Sequence, residues 1–459
     1  MANLKIVLLG SGSLYFTRVL PDLFTTPDLQ GAELALYDID AEKSERMAGL
    51  ARALLSRTGA RFTVRSAPSL AEALDGAGFA LSSIGGSGAE MSPDVYGSTC
   101  HAADIAIPAK YGVFQVVGDT AGPAGMMMGL RAVPPHLEIC REMERRCPDV
   151  VFLNHSNPMA VLCRAMRKYS SIRVVGICHG VQIGICHAAK LLGVEPEELE
   201  CRWVGTNHYY WFTSVRHRGR DVHPELLRRT AEARDAPGTK LSSRLSRIHG
   251  RQIVYPEDDH IWEFYPFASR AGGFDRLPYD LREAAGRFGG GAGNAVPVRT
   301  PPTEETRRQF LVRYQEILDA TTLPAVKERG VRGEGIGDLV SAIAHGRREL
   351  AIVNVPNVGI VPNLSREAIV EVEALTDSSG VRGVHSDEAP VSLRGLLEKR
   401  FAWHELVADA AVTGDRRMAL EALLIDEMAI LPDSAERMLD ELLSASRDLL
   451  PQFERCGRP

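Results

Sequence analysis

The sequence predicts an α/β protein built on a doubly wound parallel sheet, and three observations predict it. An apolar strand at residues 5–9 runs directly into a glycine loop that opens a helical pattern. The strand after it ends on an acidic residue, Asp38. Apolar strands then alternate with helical patterns through the first 200 residues, the order that winds a parallel sheet with helices on both faces.

Taken in order, Lys5–Leu9 is the first strand, and Gly10-Ser-Gly-Ser-Leu-Tyr15 opens a helix that runs to about Phe24. Gly10, Gly12 and Ser13 would present backbone amides at a helix start, where a pyrophosphate is held. This is half of the dinucleotide fingerprint, because Tyr15 stands where the third glycine would fall; a plain strand-to-helix turn is the alternative. Glu33–Ile39 is the second strand, and the Asp38 carboxylate sits where a ribose diol would be held. Its charge would repel a 2′-phosphate, which favours NAD over NADP. Strand, loop, helix and acid in this register make the first half Rossmann-like. Ala41–Arg57 reads as an amphipathic helix, and Arg61–Arg65 and Gly78–Gly85 as the next strands. Val116–Gly125 carries Asp119 in a Gly-Asp-Thr turn, and a helix follows from about Met126 to Arg146, with Met126, Met127 and Met128 as core filler. After strand Val150–Asn154 comes the turn His155-Ser-Asn-Pro158, where the proline holds Asn157 extended and points its amide out of the strand end. Met159–Tyr169 is a helix.

Val174-Val-Gly-Ile-Cys-His-Gly-Val181 is a buried parallel strand that ends on a thiol and an imidazole. Open α/β sheets bind ligands at that carboxyl end. Cys178 there, with His208 in Gly205-Thr-Asn-His-Tyr-Tyr-Trp-Phe212, would give a divalent metal one soft and one borderline ligand. Two protein ligands leave positions open for substrate oxygens, unlike a closed structural zinc site. Cys186-His187 repeats the pair, but it falls in an apolar helix, Val181–Leu192, and is expected to pack in the core. Cys201–Arg216 reads as one strand of a separate sheet, and His217-Arg-Gly-Arg220 as a hairpin turn that begins a second unit. Gly286–Gly293, within Arg270–Thr303, reads as a flexible loop or lid. Leu350–Val355 and Ala368–Leu375 are strands, and Val391–Leu450 is almost wholly helical. We therefore expect an NAD-binding Rossmann domain over 1-200 and, over 201-459, a metal, substrate and oligomerisation domain of mixed sheet with helices.

The 459 residues, 45% hydrophobic and 24% charged, are ordinary for a globular protein with a sizeable core. A net charge of −6 without a basic stripe argues against nucleic acid and anionic membrane as partners and favours a small molecule. The amino-terminal apolar run is too short for a signal segment, and no run reaches membrane-spanning length, so a cytoplasmic protein is expected. Its eight cysteines lack the regular spacing of a disulfide scaffold and read as reduced thiols.

Five stretches in this order, the Gly10 loop with Asp38, Asn157-Pro158, Gly176-Ile-Cys-His179, Asn207-His208 and Val353-Asn-Val-Pro-Asn-Val-Gly359, resemble the NAD- and manganese-dependent α-glycosidases of glycoside hydrolase family 4. The resemblance runs from Leu4 to about Leu431. It implies a fold like lactate and malate dehydrogenases, with an α+β second domain, and a homodimer or homotetramer. It implies Cys178 and His208 as metal ligands, and His179 as the mark of unphosphorylated α-hexosides and uronides rather than 6-phosphoglycosides. The base at sugar C2 falls within Tyr255-Pro-Glu-Asp-Asp-His-Ile-Trp262, with Asp259 the best match and Asp258 and His260 one residue either side; a solvated acidic turn is the alternative.

The mechanism that the resemblance implies replaces the usual carboxylate pair. It begins with hydride transfer from sugar C3 to NAD⁺, which acidifies the C2 proton for Asp259 while the metal neutralises the enolate. The aglycone leaves with a proton from His179, water adds, and the hydride returns. Asn157 would hydrogen-bond sugar hydroxyls, and Asp119 would orient a hydroxyl or a metal-bound water; Asp119 as an Asx turn or helix cap is the alternative. Glucoside, galactoside and uronide all fit. A different class, an NAD-dependent 2-hydroxyacid dehydrogenase of the malate type, shares the fold and cofactor, and an NAD-sensing module is a third possibility.

Overall fold

The computed structural model describes residues 4–85, 98–287, 303–321 and 334–455. The strands, in chain order, are β1 Lys5–Leu9, β2 Glu33–Tyr37, β3 Thr63–Ser66, β4 Phe79–Ser82, β5 Val151–Asn154 and β6 Arg173–Gly176. They continue as β7 Leu199–Thr206, β8 Tyr209–His217, β9 Arg220–Asp221, β10 Glu349–Pro356, β11 Ile369–Asp377 and β12 Gly380–Gly383. One nine-stranded sheet has the order β12-β11-β10-β6-β5-β4-β1-β2-β3, and β7-β8-β9 form a second, three-stranded sheet. Strands β1 to β6 pair in parallel, as a strand-helix alternation with right-handed crossovers requires. The chain has the expected Rossmann-like α/β fold with a second, mixed part. β10 joins antiparallel to β6 through Asn354 opposite Gly176, and β11 and β12 extend that edge.

The apolar run of β1 shows why this sheet lies in the middle. Ile6 and Leu8 pack into one apolar cluster and Val7 and Leu9 into another, so successive side chains serve opposite faces and both faces are covered. Burying each such side chain stabilises the fold by roughly 1.5–3 kcal/mol. The second cluster is closed by helix Val391–Thr413, whose Trp403, Val407 and Ala411 pack against helices Gly122–Arg146 and Met159–Tyr169. Met126, Met127 and Met128 are buried in it, as expected. Helix Ala41–Thr58 starts where Asp40 accepts the N–H groups of Glu42 and Lys43.

Three expectations are corrected. Cys201–Arg216 is not one strand: it turns at Asn207-His208, so that Thr206 faces Tyr209 across a tight hairpin of β7 and β8. The run is buried from Trp203 to Phe212, and the polar turn residues Asn207 and His208 are buried with it, so no exposed polar stretch separates the two strands. The helix expected from Met126 begins at Gly122, where Ala121 ends the preceding loop. Cys186 and His187 do lie in a helix, Gly180–Leu192, but on a half-buried side of it and not in the core. Of the Gly286–Gly293 stretch, residues 288–293 lie outside the described residues. Among the described residues no helix is long and apolar enough to cross a membrane.

Candidate active site

Four loops leave the carboxyl ends of β1, β4, β5 and β6 on one edge of the sheet, and the expected site residues gather there. At the β1 end the chain turns at Gly10, with φ of 68°, and a Cβ at that position would collide with the Ser83 carbonyl. The Gly12 N–H donates to Asp38 Oδ2 at 2.8 Å, and the Asp40 N–H donates to Asp38 Oδ1 at 2.8 Å. Burial pushes the Asp38 carboxyl above its ordinary range, against these two N–H groups. A Cβ on Gly12 would stand 3.0 Å from Asp38 Oδ2 and 2.6 Å from Lys43 Cβ, so the cradle admits only glycine. Ser13 Oγ lies 2.8 Å from Ser83 Oγ across the loop. From the second segment, the Tyr314 hydroxyl donates to the Gly12 carbonyl at 2.5 Å. A glycine cradle beside an oriented carboxylate at the end of β2 fits a dinucleotide.

At the β6 end, Cys178 follows the strand, and His208 reaches it from the tip of the β7–β8 hairpin. His208 has φ of 63°, an uncommon value for a side chain with a Cβ, and the turn requires it. Cys178 Sγ lies 3.4 Å from His208 Nε2. The Thr120 hydroxyl donates to Asp119 Oδ1 at 2.6 Å, so at 3.0 Å from His208 Nδ1 it is placed to accept that nitrogen's proton. The lone pair of His208 is thereby on Nε2, toward the thiol. Burial holds the His208 imidazole down to about 3, with the His260 charge adding to it, and so keeps it neutral. Burial pushes the Cys178 thiol far up, and a cation is what would release its proton. A neutral imidazole nitrogen and a thiol at this spacing are a donor set that fits a borderline divalent ion. Asn157 Nδ2 donates to Asp119 Oδ2 at 2.7 Å, which brings the ends of β5 and of the 116–120 loop to the same place. Behind them Asn207 Nδ2 donates to Glu371 Oε2 at 3.1 Å, and burial raises that carboxyl to about 7.

The segment expected to hold the base is the short helix Asp258–Ile261. It is not a solvated turn, since Asp258 and Asp259 are 3% and 7% exposed. Its acids have different partners. Asp258 accepts the Leu241 and Ser242 N–H groups at 2.9 Å, at the start of helix Lys240–His249. Asp259 Oδ1 lies 2.8 Å from His260 Nδ1. Burial alone would lower the His260 imidazole, but the bond to Asp259 and the nearby Asp119 charge outweigh it and raise the group to about 9. The His260 ring stands edge-on to His208 at 4.9 Å between centroids, and ligand-capable atoms of Asp119, His208 and His260 lie within 4.8 Å of one another.

His179 completes the site from the turn after Cys178. Its Nδ1 is 3.1 Å from Glu334 Oε1, and the other Glu334 oxygen meets the Tyr15 hydroxyl, which lies 2.7 Å from His155 Nδ1. Burial raises the Glu334 carboxyl to about 8, whereas burial and then the Arg18 charge lower the His179 imidazole. Glu263, Glu334, Glu371 and Thr120 were not anticipated. A signal existed for two of them: Glu263 is a lone charge in the aromatic run Ile261-Trp-Glu-Phe-Tyr265, and Glu371 interrupts a β-branched strand.

Models of the family 4 glycosyl hydrolases match residues 5–194, and those of the family's C-terminal domain match residues 203–429. The chain belongs to the family 4 glycosyl hydrolases. Over 98% of its length this hydrolase is 28% identical to an alpha-galactosidase of Bacillus subtilis, which is covered completely. It is also 28% identical to an alpha-glucosidase of Erwinia rhapontici, with 97% of this chain and 98% of the relative covered. Among solved structures, a 6-phospho-alpha-glucosidase from gut microorganisms in complex with NAD and Mn²⁺ has the same fold, with a TM-score of 0.77 at 20% identity, covering 98% of this chain and 100% of the other.

Proposed function

We propose that this hydrolase cleaves an unphosphorylated α-linked hexoside or hexuronide, with NAD and a divalent metal ion, Mn²⁺ foremost, as its cofactors. The 3.4 Å between Cys178 Sγ and His208 Nε2 carries the reading, because residues 30 apart in sequence meet there, on the same edge of the sheet as the glycine cradle, with the thiol facing a lone pair. The names of the two α-glycosidase relatives, and the NAD and Mn²⁺ held by the structural neighbour, support it.

Gly10, Gly12, Ser13 and Asp38 bind the dinucleotide, and Cys178 and His208 bind the ion. When bound, NAD⁺ supplies a reversible hydride acceptor for the sugar and the ion a Lewis acid for its hydroxyl oxygens. Asn157 and Asp119, already joined to each other, orient sugar hydroxyls. Asp259 takes the proton from sugar C2, with His260 holding the carboxylate in place. His179 protonates the leaving oxygen from Nε2, and Glu334, protonated near neutrality, replaces that proton at Nδ1.

Incubation with NAD⁺, Mn²⁺, a reductant and nitrophenyl α-glycosides or α-uronides is expected to release nitrophenol without accumulating NADH, and solvent deuterium is expected at C2 of the product. Cys178→Ala and His208→Ala are expected to abolish release. Stoichiometric NADH with no aglycone released would move the reading to a malate-type dehydrogenase.

A further inference from the structure

One buried carboxylate outside the residues given roles above is held more completely than packing requires. Glu263 is 2% exposed. Its Oε1 accepts the N–H groups of Val116, Val117 and Gly118 at 2.7, 2.8 and 3.0 Å, and its Oε2 accepts those of Gly118 at 3.1 Å and of the Gln115 amide at 3.2 Å. Three consecutive backbone amides converging on one oxygen form the concavity in which proteins bind anions, and here the acceptor is a side chain of the same protein: burial raises this carboxyl to about 7, and the N–H groups of Val116 and Gly118 oppose that by favouring the ionised form. The neighbouring Trp262 Nε1 donates to the Phe114 carbonyl at 2.8 Å, so two adjacent residues grip the loop. Gln115 closes its far end, donating to the Ala121 carbonyl at 2.9 Å and accepting the Ala124 N–H at 2.9 Å.

The residues left between these anchors are Asp119 and Thr120, which contact Asn157 and His208 Nδ1. On its own chain Glu263 stands one helical turn beyond Asp259 and His260. We propose that Glu263 is a positioning residue that joins the two walls of the site: it locks the Gln115–Thr120 loop to the segment bearing Asp259 and His260, and through Thr120 it holds His208 with Nε2 toward Cys178. A buried carboxylate is a costly means of holding a loop. What it offers over an amide is acceptors only, since a glutamine would turn an N–H toward the Gly118 N–H. The inference rests on the reading of Cys178 and His208 as metal ligands.

The test is a double-mutant cycle on the full-length, NAD-loaded protein, with Mn²⁺ affinity read from the electron paramagnetic resonance signal of the free ion. Glu263→Gln and Thr120→Val are each expected to weaken Mn²⁺ binding about 10–100-fold, as loss of a residue that orients a ligand does. The double variant is expected to be no weaker than the worse single one within about twofold, because both break the same relay. NAD affinity is expected to be unchanged. A Glu263→Gln protein that binds Mn²⁺ as tightly as the parent overturns the proposal, and so do losses that multiply in the double variant, since a purely structural role would act independently of Thr120. Should Glu263→Gln not fold, Glu263→Asp, which keeps the charge but withdraws it by one methylene, takes its place in the same cycle with the same two outcomes. Parent protein that binds no Mn²⁺, or a Cys178→Ser variant that binds it equally well, overturns the ligand reading itself.

Discussion

Adjacent acids in this site have separate fates, and their hydrogen bonds decide which is which. Asp258 uses both oxygens on buried N–H groups of a neighbouring helix, so Asp258→Ala is expected to lower stability by about 1–3 kcal/mol, measured by denaturant unfolding. Asp259→Asn is expected to stop deuterium incorporation at C2 while NAD affinity, followed by fluorescence, stays at the parent's value. The sequence left Asp258, Asp259 and His260 open because three polar residues in a row have no periodicity to separate them. Glu371 gives a pH dependence. Burial raises its carboxyl from 4.5 to about 7, so between those values the unfolded chain has lost a proton that the folded chain keeps. Stability therefore falls as pH rises through that window, by about 1.4 kcal/mol per unit. In metal-free protein, Glu371→Gln is expected to gain in Tm relative to the parent at pH 8 compared with pH 5; an equal difference at both would count against it.

At the scale of elements, the hairpin of β7 and β8 matters most, because it carries His208 across to Cys178. Gly205 has φ of 152°, and a Cβ there would collide with the Tyr209 carbonyl and the Tyr210 side chain. Gly205→Ala is accordingly expected to move the hairpin tip and weaken Mn²⁺ binding at least tenfold with little effect on NAD, both measured by titration. Elements with a mixed apolar and polar period were legible in the sequence: Ala41–Arg57 and Met159–Tyr169 are found within one residue of their expected bounds. The hairpin was not. Its strands are buried on both faces, and the polar residues of its turn, Thr206, Asn207 and His208, are buried with them, so alternation of apolar and polar positions does not mark the reversal.

For the whole molecule, the nine-stranded sheet draws strands from both chain segments. β10, β11 and β12 continue the sheet from β6, and Trp403, Val407 and Ala411 complete the core that Met126 and Leu130 begin. Residues 1–200 expressed alone would expose that edge and that apolar surface. They are expected to be insoluble or to bind no NAD, which expression and nucleotide titration would show; a soluble, NAD-binding fragment would mean that the first segment folds independently. Local sequence determined the parallel half of the sheet, the glycine cradle and Asp38, because each depends on residue type within one strand-loop-helix unit, and it named Cys178 and His208 as candidates by residue type alone, each beside a polar neighbour in an apolar run. Tertiary structure alone decided that Asp258 caps a helix and Asp259 meets His260, and that Glu263 and Glu371 stand buried, and Glu334 nearly so, around the candidate site. Those roles are set by which groups from distant elements exclude water from a carboxylate, and a buried acid differs from an exposed one in its surroundings, not in its letter.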